Sequence, residues 1–294
     1  MKSGYVSLIG RPNVGKSTLL NTLINAHVAI TSNKPQTTRN IIEGVYNDKD
    51  TQIIFVDTPG IHKPISKLGK ALNKQAVSLS KDVDVILFLA DASDYLGAGD
   101  KYVMNVLKSS DIPVILVLNK IDKLDNEKIM YKINEYKDEY PFAEIVPISA
   151  LKNDNLTRLI EVIKKYLKDD IKYYEDDYLT SNSLSFMASE YVREQLLILT
   201  EDEVPHSVTC LTTSFKENSK LASIAVDIIV DRESLKKIII GKNGSMLKEV
   251  GSKSRIEIEK LLNKQVYLEL FVKVIPNWKD KERYIKEFGF KNNE

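Results

Sequence analysis

Gly10-Arg11-Pro12-Asn13-Val14-Gly15-Lys16-Ser17 follows the apolar, β-branched run Tyr5–Ile9 and precedes a stretch with helical spacing. The pattern G-x-x-x-x-G-K-[ST] between a strand and a helix is the signature of a phosphate-binding loop. Glycines let backbone N–H groups close around phosphate oxygens without a Cβ clash. The helix N-terminus that follows adds partial positive charge. Lys16 is expected to reach the β- and γ-phosphates of a nucleotide, and the Ser17 hydroxyl to ligate Mg²⁺. Gly10, Asn13, Val14, Gly15 and Thr18 complete the expected cradle.

Outward from this loop, short apolar runs at Ile53–Val56, Val85–Ala90, Val114–Leu118 and Ile145–Ile148 alternate with longer stretches of helical spacing. That alternation predicts a mostly parallel sheet covered on both faces. Ile41–Tyr46 and Thr51–Phe55 are separated only by the turn-forming residues 47–50, so they predict an antiparallel hairpin on one edge.

Further motifs fall at the ends of these strands. Asp57-Thr58-Pro59-Gly60 is a D-x-x-G, common by chance but informative at a strand end; Asp57 suits a metal shell and the Gly60 N–H suits γ-phosphate sensing. Asn119-Lys120-Ile121-Asp122 ends the run Val114–Leu118. A carboxylate at Asp122 can accept both the ring N–H and the amino hydrogens of guanine, a donor pair that adenine lacks. Sites built around such a pair discriminate strongly. Asn119 is expected to brace the loop, and Lys120 to lie along the base. Ser149-Ala150-Leu151 is expected to close the pocket, with the Ala150 N–H aimed at the guanine oxygen. Motifs ending successive strands match the rule that open α/β sheets bind ligands at strand C-termini.

Residues 3–168 resemble the translation-factor-related, Ras-like GTPases. The resemblance implies that Lys34-Pro35-Gln36-Thr37-Thr38-Arg39 is switch I. Thr38 is the first choice for the threonine that senses metal and γ-phosphate, with the adjacent Thr37 as the alternative. The catalytic set is then Lys16, Thr38, Asp57 and Gly60, and the metal set Ser17, Thr38 and Asp57. Ras-like enzymes place a water-orienting glutamine after the D-x-x-G. Here that position is Ile61, which cannot hydrogen-bond water, so slow intrinsic hydrolysis is expected. His62 reads as a solvent-exposed loop residue. Asn13 raises the further possibility of K⁺ beside the phosphates.

After Leu167 the character changes, and the domains are expected at 1–168 and 181–294 with a polar linker at 169–180. The second region reads as a helix near 185–199, strands near 207–215 and 221–230, a short helix ending at Ile240, a turn, a helix to about Leu262, and a strand in which Val266, Leu268, Leu270, Val272 and Val274 share a face. Gly241-Lys242-Asn243-Gly244 joins the two helices. A G-x-x-G alone is weak, but in an α-β-β-α-α-β order it matches a type II KH domain, whose loop clamps about four single-stranded nucleotides. Ile240, Gly241, Lys242, Asn243 and Gly244 are the candidate RNA-binding residues. Residues 232–264 hold nine Lys/Arg against four acids, which favours a phosphate-attracting surface over a merely solvated helix face. The expected fold class is an α/β Ras-like P-loop domain followed by an α+β KH domain.

The pairing, with Ile61, Pro35-Gln36-Thr37-Thr38-Arg39, Val272–Val274, Trp278–Asp280 and Phe288–Phe290, resembles the bacterial Era GTPases over nearly the whole chain. The resemblance implies GTP/GDP and Mg²⁺ as ligands, binding to the 3′ end of 16S ribosomal RNA, a role in small (30S) subunit assembly and rRNA processing, and loose inner-membrane association. A regulatory GTPase whose second domain is a protein scaffold remains the alternative. Net charge is only +1, so the chain is not a globally basic nucleic-acid coat. The single cysteine, Cys210, cannot form an intrachain disulfide and fits a reducing compartment. Tyr5–Gly10 reads directly as a strand, so no signal peptide is expected. The longest apolar runs are too short to span a bilayer. A cytoplasmic monomer is the default expectation.

Overall fold

The computed structural model describes residues 1–290 apart from Ile65 and Ser80. The chain divides into two compact units, Met1–Ala29 with Thr38–Ile65 and Gly69–Ser181, and Ile30–Thr37 with Ser66–Leu68 and Asn182–Glu294.

The first unit runs β1 (Lys2–Gly10), α1 (Lys16–Ile24), β2 (Ile42–Asn47), β3 (Thr51–Asp57), α2 (Lys67–Leu79), β4 (Val85–Asp91), α3 (Ala98–Leu107), β5 (Val114–Asn119), α4 (Asn126–Lys137), β6 (Glu144–Pro147) and α5 (Leu156–Ile163). Its sheet has the order β2-β3-β1-β4-β5-β6. Only β2 runs antiparallel, against β3, which is the expected edge hairpin. Every residue of β3 and β5 is buried, as continuous apolar runs must be when both faces of a parallel sheet are covered. The strand order places the ends of β3, β1 and β5 on one rim, with Leu8 opposite Asp57 and Asp91 opposite Asn119.

The segment read as a linker folds back on this unit. The Gln52 side chain accepts from the Tyr173 and Tyr174 N–H groups at 2.7 and 2.9 Å. The Val45 N–H donates to the Leu179 carbonyl at 2.9 Å. Residues 169–181 thereby cover the free edge of β2, whose exposed N–H and C=O groups would otherwise invite pairing with another strand.

The second unit runs α6 (Leu184–Leu199), α7 (Val204–Ser207), β7 (Thr209–Glu217), β8 (Leu221–Val230), α8 (Glu233–Ile240), α9 (Ser245–Leu262), β9 (Gln265–Val274) and α10 (Glu282–Glu287). Its sheet is β7-β8-β9, antiparallel then parallel. The first strand starts at Thr209, two residues later than expected, because residues 204–207 form the short α7 with Pro205 in its first turn. β9 alternates as read, with Val266 buried and Tyr267 exposed. Near the C-terminus Trp278 is buried, packs against Phe288 and Phe290, and donates from Nε1 to the Ser207 carbonyl at 3.1 Å.

α6 is capped by Ser183, whose hydroxyl accepts from the Phe186 N–H. Residues 187–197 of this helix are all buried, including Glu190, Arg193 and Glu194. Its apolar residues join the core with β7 and β8. Desolvating an ion costs several kcal/mol, which the bidentate Arg193–Glu190 pair at 2.8 and 2.6 Å offsets. The two carboxylates raise the Arg193 pKa despite the opposing effect of burial. Among the described residues no helix is long and apolar enough to cross a membrane.

Candidate nucleotide site and nucleic-acid loop

The phosphate-binding loop is braced from several sides. Gly15 has φ 101°, and a Cβ there would stand 2.3 Å from Asn119 Nδ2, so only glycine fits. Asn119 Nδ2 donates to the Val14 carbonyl at 2.8 Å, while its Oδ1 accepts from the Ala150 N–H at 2.9 Å. One side chain at the end of β5 thus links the loop to the segment after β6. The Ala150 N–H, expected to point at the base, acts here through Asn119. Ser149 donates its hydroxyl to Asp122 and orients that carboxylate. Leu151 is exposed. Lys120, expected along the base, sends its Nζ to the Asn13 carbonyl at 2.8 Å and to Asp91 Oδ2 at 2.6 Å. Burial would push the Asp91 carboxyl up, but Lys120 and Ser93 hold it below the usual range.

Two supports were not singled out from sequence. Arg11, inside the loop, donates from Nε to Asp100 Oδ1 at 2.8 Å and from Nη2 to Asp94 Oδ2 at 3.1 Å. Arg11 occupies a variable position of the motif, so nothing in the pattern marks it. Asp91 did carry a signal: it is a carboxylate ending the otherwise apolar run of β4 and stands opposite Asn119.

Lys16, Ser17, Thr38 and Asp57 converge. Ser17 Oγ donates to Asp57 Oδ2 at 2.6 Å and lies 2.9 Å from Thr38 Oγ1, which is 3.3 Å from the same carboxylate oxygen. Thr37 takes another path: its hydroxyl donates to the Lys34 carbonyl at 2.7 Å. Of the two adjacent threonines, Thr38 is therefore the one that faces the site. Burial pushes the Asp57 carboxyl up and the Lys16 ammonium down, and each charge opposes the other's shift. Asp57 Oδ1 is buried and has no hydrogen-bond partner. A buried carboxylate oxygen with a spare lone pair beside two hydroxyls suits a hard divalent cation.

The D-x-x-G segment is tied to the same rim. Thr58 Oγ1 donates to the Leu8 carbonyl at 2.8 Å and the Ile61 N–H to the Gly10 carbonyl at 3.1 Å. Ile61 is buried in the core with Ile9, Val103 and Met104, so its side chain belongs to packing. His62 is half-buried, not exposed as expected, and Asn73 Nδ2 donates to its carbonyl at 2.6 Å.

In the second unit, Gly241 ends α8 with φ 73°, and a Cβ there would meet the Met246 backbone nitrogen at 2.8 Å. Lys242 and Asn243 are exposed, Ile240 is half-buried, and Gly244 leads into α9. The loop therefore presents a lysine and a helix N-terminus to solvent, a combination that attracts phosphate. Ile239 and Val250 are core, whereas Ile238 is half exposed.

Comparison with known proteins agrees with the fold. Residues 5–120 match the family described as 50S ribosome-binding GTPase, and residues 203–279 match the KH domain family. The GTPase Era of Clostridium kluyveri is 49% identical over 292 residues, covering 99% of this chain and 100% of the relative. The GTPase Era of Geobacter metallireducens is 48% identical over 291 residues, covering 98% of each. A variant of Aquifex aeolicus Era bound to GDP·AlF4⁻ is 43% identical, with a TM-score of 0.95 over 99% of this chain and 100% of that one. Era in complex with MgGDPNP and nucleotides 1506–1542 of 16S ribosomal RNA gives a TM-score of 0.96 at the same identity and coverage. With a nucleotide loop and a KH fold in one chain, and near-half identity along its length, this chain belongs to the Era family of GTPases.

Proposed function

We propose that this chain is a GTP-driven switch that binds the single-stranded 3′ end of 16S ribosomal RNA through its second unit and assists small-subunit assembly. The observation that carries the reading is the joining of a braced nucleotide site to an open G-x-x-G loop in one chain. The relative solved with MgGDPNP and nucleotides 1506–1542 of 16S ribosomal RNA supports the class of RNA.

In this reading the phosphates lie against the N–H groups of residues 13–18 and against Lys16. Asp122, oriented by Ser149, takes the guanine edge. Ser17, Thr38 and Asp57 hold Mg²⁺, which when bound supplies positive charge for the departing phosphoryl oxygens. Thr38 and the Gly60 N–H sense the γ-phosphate, and hydrolysis releases both segments. Turnover is slow because Ile61 is committed to the core and the attacking water must be oriented by backbone or partner. K⁺ beside Asn13 is part of the proposal; equal activity in Na⁺ and K⁺ buffers counts against it. Inner-membrane association is also part of the proposal; failure to co-sediment with anionic vesicles removes it.

The deciding measurement is binding of an RNA matching the 16S 3′ end, with the protein loaded with a non-hydrolysable GTP analogue or with GDP. Salt-dependent binding favoured by the analogue supports both the RNA role and its gating. Equal binding in both states removes the gating. No binding in either state leaves a GTPase whose second unit serves as a protein scaffold.

A further inference from the structure

Arg11, Lys16, Asp94, Gly99 and Asp100 all lie in the first unit. The Arg11 carbonyl accepts from Lys16 Nζ at 3.2 Å, so the loop offers its own buried lysine a resting point. Where that carbonyl points depends on how Arg11 is held. Pro12 follows it, and a residue before proline is confined to extended backbone. Its neighbours meet the D-x-x-G segment: the Gly10 carbonyl accepts from the Ile61 N–H at 3.1 Å, and a Cβ at Gly60 would stand 2.7 Å from the Pro12 nitrogen.

The remaining hold comes from the Arg11 side chain and the start of α3. Asp100 is fully buried and divides its carboxylate: Oδ1 accepts from Arg11 Nε at 2.8 Å, while Oδ2 accepts from the Gly97 N–H at 3.2 Å and closes the first turn of the helix. Asp94 takes Arg11 Nη2 at 3.1 Å. The stem is seated as firmly as the head, since a Cβ at Gly99 would stand 2.5 Å from Arg11 Cδ and 3.3 Å from its Cγ. With stem and head both fixed, the Arg11 Cα has little freedom, and the direction of its carbonyl follows. A buried ion pair is a weak source of stability, because desolvation offsets the attraction. Orientation of the loop accounts better for a carboxylate buried completely at Asp100.

We propose that Arg11, anchored to the start of α3 by Asp100 and Asp94, is a positioning residue for GTP hydrolysis that fixes the carbonyl on which the Lys16 ammonium rests. The proposal rests on the reading of Lys16 as the residue that meets the nucleotide phosphates. It makes α3 a support of the phosphate-binding loop, although no residue of that helix touches the phosphates.

The test is a set of variants of the full chain, read by single-turnover and steady-state GTP hydrolysis and by GDP binding. Arg11→Gln is expected to lower kcat roughly 10- to 100-fold, with KM and GDP affinity within about threefold, because misplacing a group by about an ångström has that cost. Arg11→Lys keeps the charge but reaches one carboxylate at a time, and should recover about half of the logarithmic loss. Combining Arg11→Gln with Lys16→Ala should cost no more than about threefold beyond Lys16→Ala alone, since residues that act as a unit do not multiply their losses. Fully multiplied losses overturn the route through Lys16, and wild-type kcat in a folded Arg11→Gln protein overturns the proposal while leaving Lys16 in place. A near wild-type rate in Lys16→Ala overturns the reading of Lys16, and this proposal with it. If Arg11→Gln does not fold, Gly99→Ala decides. It removes no charge and places a better helix former in α3, but it pushes on the Arg11 stem. It should leave the thermal midpoint unchanged or higher and lower kcat about three- to tenfold; wild-type kcat there overturns the proposal.

Discussion

The loop at residues 10–17 leads into α1, and the loop at residues 241–244 leads into α9. Both hold glycines at positive φ before a helix, yet they are built differently. The first is gripped by its surroundings. Asn119 and Lys120 hold the Val14 and Asn13 carbonyls, and Arg11 is anchored to Asp94 and Asp100. The second is held mainly by its own helices, with the Gly241 N–H on the Lys237 carbonyl at 3.0 Å. A Cβ at Gly15 meets Asn119, whereas one at Gly244 meets nothing within 4 Å. The difference suits the ligands proposed for them. A triphosphate is compact, so a rigid cradle pre-organises its many contacts. A single-stranded polymer must slide in along its backbone, so its loop stays open and gains affinity from charge and from contacts along several nucleotides.

The comparison can be sharpened by perturbing each loop, beginning with the largest effect. Asp122→Asn replaces a double acceptor with a mixed group, and should shift preference from GTP towards xanthosine triphosphate by roughly 10⁴-fold, measured by competition binding. Retained GTP preference would mean that the guanine edge is read elsewhere. Lys16→Ala removes the fixed cation from the braced loop, and single-turnover hydrolysis should fall about 10³-fold. A loss of tenfold or less would show that Lys16 serves binding alone.

Substituting alanine for glycine in both loops tests the packing difference itself. Gly15→Ala should reduce GDP affinity by about 10²-fold or more, since left-handed backbone strain and a clash with Asn119 act together. Gly244→Ala should cost only about 1 kcal/mol of stability, from the left-handed backbone alone, with RNA affinity within about threefold. Equal sensitivity by isothermal titration would break the distinction between a gripped and an open loop. The smallest effect is expected from Lys242→Ala. RNA affinity should fall about three- to tenfold, and the slope of log K against log[salt] should decrease by about 0.7, the value for one phosphate contact on a single strand. An unchanged slope would remove Lys242 from the contact.

Much of the nucleotide site was legible because its chemistry is local. Residues 10–17, 57–60 and 119–122 each carry a residue order that works only at a strand end, and alternating apolar runs supply the strands. The KH order was legible for the same reason, since β9 alternates by two and α8 and α9 flank a glycine turn. Other features were not. Arg11 is a free position in its motif, and only the fold brings Asp94 and Asp100 to it. His62 read as a solvent-exposed loop residue; it does lie in a loop but is half-buried, and Asn73 donates to its carbonyl. The polar segment after Leu167 had the composition of a linker, but Gln52 and the edge of β2 give it a place.

By itself, then, the sequence determined most of the order of elements, the phosphate loop and the glycine turn of the second unit, because each depends on neighbours within a few residues along the chain. Only the tertiary structure turns the Thr38 hydroxyl, and not that of Thr37, toward Ser17 and Asp57. It also decided the brace that Asn119 makes between two loops, and that Glu190, Arg193 and Glu194 are buried. Those outcomes depend on groups far apart in sequence. A charged helix reads as solvated until something is seen to cover it, and here the cover is residues 30–37, more than 150 positions earlier in the chain.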